Sequence, residues 1–338
     1  MRAYELQAEE GFDALRMVDR PDPPAPGAHD VVVRIHAVSL NYRDLAVLRA
    51  SKKRIKRIVP VSDGAGEVVA VGQRVTRVKV GDRVAAAFFP TWTSGGLSEE
   101  HHANALGGSL DGVLAEHVVL AESAWVRIPA RFSYEQASTL PCAGVTAWHA
   151  LFEAAPLRPG DTILVQGTGG VSVFALQLAR AAGARVIATS SAADKRARLE
   201  QMGAATTIDY RQEPKWGDAV RAAAGGRGVD IVVEVGGAGT FDESVKALRF
   251  GGTMALLGIL AGTAGPINTY AILQKNVRVY GVYVGSVVMF EALVRALEAS
   301  TIEPVIDRVF PFAEARAAYE HLASGAHFGK VVIRVTSS

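Results

Sequence analysis

The stretch TILVQGTGGVSVFALQLARAAGARVIATSS, residues 162–191, decides the fold. An apolar strand delivers Gly167-Thr168-Gly169-Gly170-Val171-Ser172 to the start of a helix with apolar periodicity. Glycine has no Cβ, so a pyrophosphate can approach the helix's free amides and its positive dipole end closely. The third glycine of the GxGxxG fingerprint is replaced by Ser172, a small residue but a departure. A bare glycine turn between strand and helix is the competing reading. The continuation tells against it: RVIATSS is a second strand at the right spacing, followed by ADKRARLEQMGA and TTIDY. Strands that alternate with helices in this way predict a doubly wound parallel sheet covered by helices. Gly167, Thr168, Gly169, Gly170 and Val171 are the candidate pyrophosphate-binding residues.

The end of the second strand bears on which dinucleotide binds. A NAD-selective site places Asp or Glu there, about 20 residues on, to bind the ribose hydroxyls. This chain has Thr189-Ser190-Ser191, with Lys195 and Tyr210-Arg211 nearby in sequence. With no carboxylate to repel a 2′-phosphate, NADP(H) is expected over NAD(H), held by Ser190, Lys195 and Tyr210. A Lys195 that merely solvates a helix face is the plainer alternative. Further strands are expected at VDIVVEVG (229–236), GTMALLGIL (252–260) and VRVYGVYVG (277–285). Gly236, Gly258 and Val284 fall at their carboxyl ends, where such a sheet presents its ligand crevice.

Upstream the texture differs. VVVRIHAVSL (31–40), GAGEVVAVG (64–72), DRVAAAF (82–88) and LAEHVVL (114–120) read as short strands punctuated by turns, which predicts a mostly antiparallel β domain. SYEQASTLPCAGVTAWHALFEAA (133–155) carries helical spacing. After Gly285 come a helix, VVMFEALVRALEAS, then VIDRVFPF, a second helix and the strand KVVIRV. A tail this short cannot bury its own core, so it should return to the first domain. The expected layout is residues 1–130 plus 286–338 as one domain, interrupted by a nucleotide-binding domain at 131–285. A length of 338 residues suits two domains.

Composition excludes several classes. Lys and Arg number 36 against 34 Asp and Glu, a net charge of +2 with the basic residues scattered, so nucleic-acid binding is not expected. No run of about 18–20 apolar residues offers a membrane span, and MRAYELQAEEGF lacks the apolar core of a signal peptide, so a cytoplasmic location is expected. The single cysteine, Cys142, rules out an intrachain disulfide and a multi-thiolate zinc site. No GxSxG elbow supports a hydrolase.

In order and spacing, NYRD (41–44), DGAGEVVAVG (63–72), VGDRV (80–84), GVLAEHVVL (112–120), LPCAGVTAWHAL (140–151), VQGTGGVS (165–172) and GKVVI (329–333) resemble the medium-chain dehydrogenase/reductase superfamily. Within it they resemble the zinc-independent quinone oxidoreductase, or zeta-crystallin-like, branch. The resemblance implies an α/β fold, a doubly wound parallel Rossmann domain inserted in a GroES-like, mostly antiparallel β-barrel catalytic domain. Zinc-using relatives surround their metal with a cysteine, a histidine beside a glutamate, and a further cysteine. Laid on this chain, those places fall at Asn41, at Ser62-Asp63 and at Cys142. Catalytic zinc needs about three protein ligands and an open position, which one thiol cannot supply. The cysteines of the structural-zinc lobe are also missing from residues 88–112. His101-His102 and His117 read as solvated loop residues, and His36 and His149 as structural histidines. No metal is expected.

Without a Lewis acid a simple alcohol is hard to oxidise, but an activated acceptor can still be reduced. A quinone or α,β-unsaturated carbonyl compound takes hydride at carbon and collects charge on oxygen, where hydrogen-bond donors can stabilise it. Asn41 and Tyr42 are the candidate donors, the resemblance places Thr146 at the nicotinamide end, Arg43 is expected to contact cofactor phosphates or substrate, and Lys330 either neutralises cofactor charge or flanks the last strand. For Asp44 the helix-capping role is preferred; for Asn41 capping and site roles are close to balanced. Phe88, Phe89 and Trp92 are either a substrate wall or core. Alternatives are an alcohol/aldehyde oxidoreductase of the same superfamily, or a crystallin-like or RNA-binding protein that keeps the cofactor fold. A homodimer is expected through the apolar edge of the nucleotide-binding sheet.

Overall fold

The computed structural model describes residues 1–53 and 56–336. The chain divides into two compact units, Met1–Val145 with Gly285–Ser338, and Thr146–Val284.

The second unit is built on β8 (Thr162–Gln166), β9 (Arg185–Thr189), β10 (Thr206–Ile208), β11 (Val229–Glu234), β12 (Leu248–Leu256) and β13 (Arg278–Gly281). These pair in the order β10-β9-β8-β11-β12-β13, all parallel. The order reverses between β8 and β11, as expected for a doubly wound sheet. All six residues of β11 are buried, the two acidic ones, Asp230 and Glu234, included. Helices Trp216–Ala223 and Phe241–Ala247 close one apolar cluster over Leu164, Ile187, Val232 and Met254.

The first unit holds β1 (Arg2–Leu6) paired with β2 (Leu15–Asp19), and a larger sheet. That sheet contains β3 (Asp30–Leu40), β4 (Asp63–Val71), β5 (Arg83–Ala86), β6 (His117–Ala121), β7 (Trp125–Arg127), β14 (Ile306–Pro311) and β15 (Lys330–Arg334). Its order is β14-β15-β3-β4-β5-β7, with β6 also on β3. Apart from the parallel β14–β15 pair the ladders are antiparallel. The tail does return: β15 lies beside β3 with Val331 opposite Leu40. Val331 and Ile333 share the core with Val33, Ile35 and Leu40.

The first unit runs on to Val145 rather than ending at residue 130. Polar and aromatic contacts explain the difference. His36 stacks on Tyr134 at 4.2 Å, Arg83 donates to Ala130 O at 2.9 Å and Phe132 O at 2.5 Å, and Arg334 pairs with Glu135 at 2.8 Å. Nor is 133–155 one helix. A turn at residues 138–139 separates Tyr134–Ala137 from a continuous helical run over 140–154, in which the α-helical Val145–Trp148 lies between two π-type stretches, Leu140–Gly144 and His149–Ala154. π-type turns re-aim the side chains that follow, and they concentrate at functional sites.

Ser62 and Asp63 are delivered by a tight crossing. Val61, fully buried, has φ 71°, a conformation that strains a β-branched residue. It is held there by Val113 N donating to Val61 O at 2.8 Å and Gly112 N to Val59 O at 2.7 Å. A Cβ at Gly112 would lie 2.0 Å from Val61 O and 2.5 Å from Pro60 O, both rigid backbone atoms. Gly112→Ala is therefore expected to lower the thermal unfolding midpoint by about 4 °C or more, measured by circular dichroism; an unchanged midpoint would show that the crossing relaxes freely.

Candidate active site

The glycine turn of the second unit has the form a dinucleotide needs. Gly167 takes φ 69°, with its N–H bonded to Thr189 O at 2.7 Å, and a Cβ on Gly167 or Gly169 would meet open space. Gly169 is the N-cap of helix Gly170–Ala181, with no side-chain cap, so the first-turn amides face outward unblocked. Thr168 is buried, while Gly170 and Val171 are half-exposed. Ser172 has a structural reason: its hydroxyl donates to Gln166 O at 2.6 Å, tying helix to strand where the fingerprint's third glycine normally permits close packing.

At the end of β9, Ser190 is buried, with its N–H on Ile208 O at 3.0 Å. Arg196 reaches it, donating to Ser190 O at 2.9 Å and pairing with Asp209 at 2.7 Å. Lys195 is half-buried on the same helix, Ala193–Gln201, and Tyr210 is 41% exposed. Arg196 and Asp209 each stand one position from Lys195 and Tyr210 and are further candidates at this strand end. Arg196 was available as one more basic residue in ADKRARLEQ, but only the facing of the helix singles it out.

Glu234 closes β11. Fully buried, its carboxylate accepts from Gly236 N at 2.7 Å, Gly237 N at 3.0 Å, Gln166 Nε2 at 2.7 Å, Thr240 Oγ1 at 2.5 Å and the Ser244 hydroxyl. It thereby shapes the loop that carries Gly236, and Gly258 N reaches Glu234 O at 3.2 Å. An acidic residue inside the run VDIVVEVG was the available signal. Val284 has φ 57°, again strained for a β-branched residue, and its carbonyl accepts from His149 Nδ1 at 2.7 Å. His149 thus has a structural role. Thr146 is buried on the short helix Val145–Trp148.

In the first unit the NYRD run ends β3 and opens helix Tyr42–Arg49. Asp44 does cap: its Oδ2 accepts from Asn41 N at 2.7 Å. The Asn41 side chain faces the Asp44 N–H across this capping box and has a further partner. Its Oδ1 accepts from Lys330 Nζ at 2.5 Å, and the same ammonium donates to Leu40 O at 2.6 Å. Lys330 is only 3% exposed. Arg43 turns away to Leu106 O at 2.9 Å and lies over the Phe88 ring at 4.7 Å. Tyr42 is 43% exposed. Phe88, Phe89 and Trp92 are fully buried side chains of the core rather than an open wall.

Asn41, Asp63 and Cys142 do converge. Cys142 N donates to Asp63 Oδ2 at 2.9 Å and Ser62 Oγ to Asp63 Oδ1 at 2.6 Å. Burial pushes Asp63's carboxyl up, opposed first by the Lys330 ammonium and then by Ser62 and the Asn41 amide. Burial, reinforced by Asp63, pushes the Cys142 thiol far above the usual range, so it is not a ready thiolate. These groups do not fit a catalytic zinc: among the described residues no three His, Cys, Asp or Glu side chains form a set able to hold a metal ion, and an ammonium stands among them.

A glycine turn at the head of a parallel sheet, joined to a β unit bearing a polar cluster, defines a dinucleotide-dependent dehydrogenase. The family model for zinc-binding dehydrogenases matches residues 170–299, and that for the alcohol dehydrogenase GroES-like domain matches residues 27–130. A zinc-type alcohol dehydrogenase-like protein of Schizosaccharomyces pombe is 39% identical over 333 residues, 96% of each chain. A quinone oxidoreductase of Rattus norvegicus is 27% identical over 343 residues, 98% of this chain and 97% of its own. Among solved structures, one from Sinorhizobium meliloti, provisionally named an alcohol dehydrogenase, has TM-score 0.92 and 41% identity over 99% of this chain and 98% of its own. A mycobacterial protein solved with NADPH has TM-score 0.81 and 29% identity over 99% and 100%. The chain belongs to the medium-chain dehydrogenase/reductase superfamily. It is an oxidoreductase, and its fold implies a nicotinamide cofactor.

Burial, against the pull of Arg43 and the Asn41 N–H, pushes the Asp44 carboxyl up to about 6. A carboxyl whose folded value is raised contributes most below its unfolded value of about 3.9 and loses that contribution as pH rises to the folded value. Asp44→Asn removes the titration. The variant should therefore gain stability relative to the parent between about pH 4 and pH 6 and keep a constant difference above it, measured by urea unfolding across that range. A difference that does not vary with pH would contradict the assignment.

Proposed function

We propose that this enzyme is an NADPH-dependent reductase of quinones or α,β-unsaturated carbonyl compounds that needs no catalytic zinc. The observation that carries the reading is the Asn41–Lys330 hydrogen bond, with a buried ammonium among the groups that stand at the family's metal-binding places. When bound, the nicotinamide cofactor supplies a hydride. The chain's own residues must then hold the cofactor and quiet the oxygen that becomes negative. Asn41, through its Nδ2, and Tyr42, through its hydroxyl, are the donors proposed for that oxygen. Thr146, Val284, Gly236 and Gly258 are proposed to contact the cofactor in the second unit, and Gly167–Val171 its pyrophosphate. The rat relative named for quinones and the NADPH-bound structural neighbour support this reading.

Arg196 is the proposed 2′-phosphate ligand beside Ser190, with Lys195 and Tyr210 in supporting positions. An opposing observation favours NADH: Asp209 lies in the same place and could accept from ribose hydroxyls. A second reading of the reaction, as an alcohol or aldehyde oxidoreductase, is favoured by the name of the Schizosaccharomyces pombe relative. A second copy of the chain is the proposed partner of the β13 edge, where all four strand residues are exposed and Leu273 nearby in sequence is 76% exposed.

Cofactor oxidation screened over quinones, enones, enals and aldehydes should show turnover with the first three that chelator does not abolish. Turnover confined to aldehydes and lost with chelator would decide for the second reading. Arg196→Ala should lower kcat/KM for NADPH about tenfold while sparing NADH, the worth of one charge-assisted contact; a loss with neither cofactor would remove Arg196 from the phosphate site. Light scattering should give a dimer that Val279→Lys converts to monomer, and a monomeric parent protein would exclude the edge contact.

A further inference from the structure

We propose that Lys330 is a positioning residue, a cation carried by the chain that turns the Asn41 carboxamide so that Nδ2, and not Oδ1, is left to meet a substrate oxygen. The inference rests on the reading of Asn41 as the donor for the developing negative charge. Lys330 opens β15, and the antiparallel register sets Val331 against Leu40, so the 330 side chain arrives at the residue that follows the end of β3. A lysine ammonium has three donors and no acceptor. Any carboxamide within its reach must offer oxygen, which the Oδ1 contact at 2.5 Å does. The second donor is fixed on Leu40 O at 2.6 Å, so the ammonium cannot follow a rotating amide.

A second observation points the same way. Asn41 Nδ2 is buried and has no hydrogen-bond partner within 3.5 Å, although the amide lies close enough to Asp63 to favour its ionised form. An unpaired buried donor costs about 1–3 kcal/mol, and native structures seldom keep one without a use for it. Rotation of the amide would bring two donors against the ammonium, so the alternative orientation is closed. The ammonium also polarises the amide it touches, which strengthens Nδ2 as a donor. Asp63 and Asp44, whose carboxyls both feel Lys330, supply the counter-charge that lets the lysine stay buried. Lys330 acts through Asn41, which distinguishes it from a ligand of the cofactor's phosphates.

The test is a double-mutant cycle on the intact enzyme with an enone substrate and NADPH. Lys330→Met and Asn41→Ala should each lower kcat about 100-fold, as for the loss of one oxyanion donor. The double variant should be no slower than Asn41→Ala, and Lys330→Arg should recover part of the rate. NADPH dissociation constants, read by fluorescence without substrate, should stay within about twofold, well under the tenfold that corresponds to one ordinary charged contact. Weakened NADPH binding at unchanged kcat, or losses that multiply in the double variant, would overturn the inference. If Asn41→Ala itself leaves kcat unchanged, the underlying reading fails instead. Should Lys330→Met not fold, Lys330→Met/Asp63→Asn, in which both charges are gone, is compared with Asp63→Asn alone and judged by the same criteria.

Discussion

The placement of one buried ammonium organises the first unit. Lys330 is drawn out of water because β15 must lie against β3 to bury Val331 and Ile333, and the charge arrives with the strand. Its cost is offset by Leu40 O, by Asn41 Oδ1 and by the field of two buried carboxyls. Once it is there, the neighbouring groups have little freedom. The Asn41 amide has one orientation, Asp63 is held between Ser62 and the Cys142 N–H, and Asp44 is left to cap the helix.

The second unit solves a related problem with the opposite charge. Glu234, fully buried, gathers two backbone amides, two hydroxyls and a carboxamide, and so fixes the loop after β11 without using cofactor or solvent. Hydrogen bonds to a charged group contribute about 1.5–3 kcal/mol each and are short and directional, which makes a buried ion an effective clamp on backbone geometry. Strain appears where the clamps act. Val61 precedes the Ser62-Asp63 pair and Val284 ends the second unit, and both β-branched residues are held at positive φ by neighbouring hydrogen bonds. Such outliers persist where surrounding structure over-determines them.

Much of this architecture was legible in local chemistry. A glycine turn between an apolar strand and a periodic helix, then repeated alternation, leaves little besides a doubly wound sheet, because parallel strands require helical crossovers. A tail with too little apolar surface for its own core had to rejoin the first domain. Asn41 and Ser62 at places that otherwise carry zinc ligands were visible as residue types, since ligand chemistry depends on identity. Asp44 as a cap followed from its distance to Asn41 along one helical turn.

Facing and reach were not legible. Arg196 and Asp209 lie one position from Lys195 and Tyr210, and spacing does not rank them, since one step along a helix rotates a side chain by about 100° and one step past a strand turns it to the other side. Lys330 read as a residue that flanks the last strand or touches phosphate. That it holds an asparagine 289 positions earlier depends on which strand β15 pairs with and in what register. The residues from 133 to 155 show the same limit, because helical spacing reveals neither the turn at residues 138–139 nor the π-type winding of the run that follows it. Periodicity and residue chemistry are local and fix the kinds of element and the reactions open to them. Pairing, register and burial are non-local, and they determine which of several chemically adequate side chains arrive at the same point.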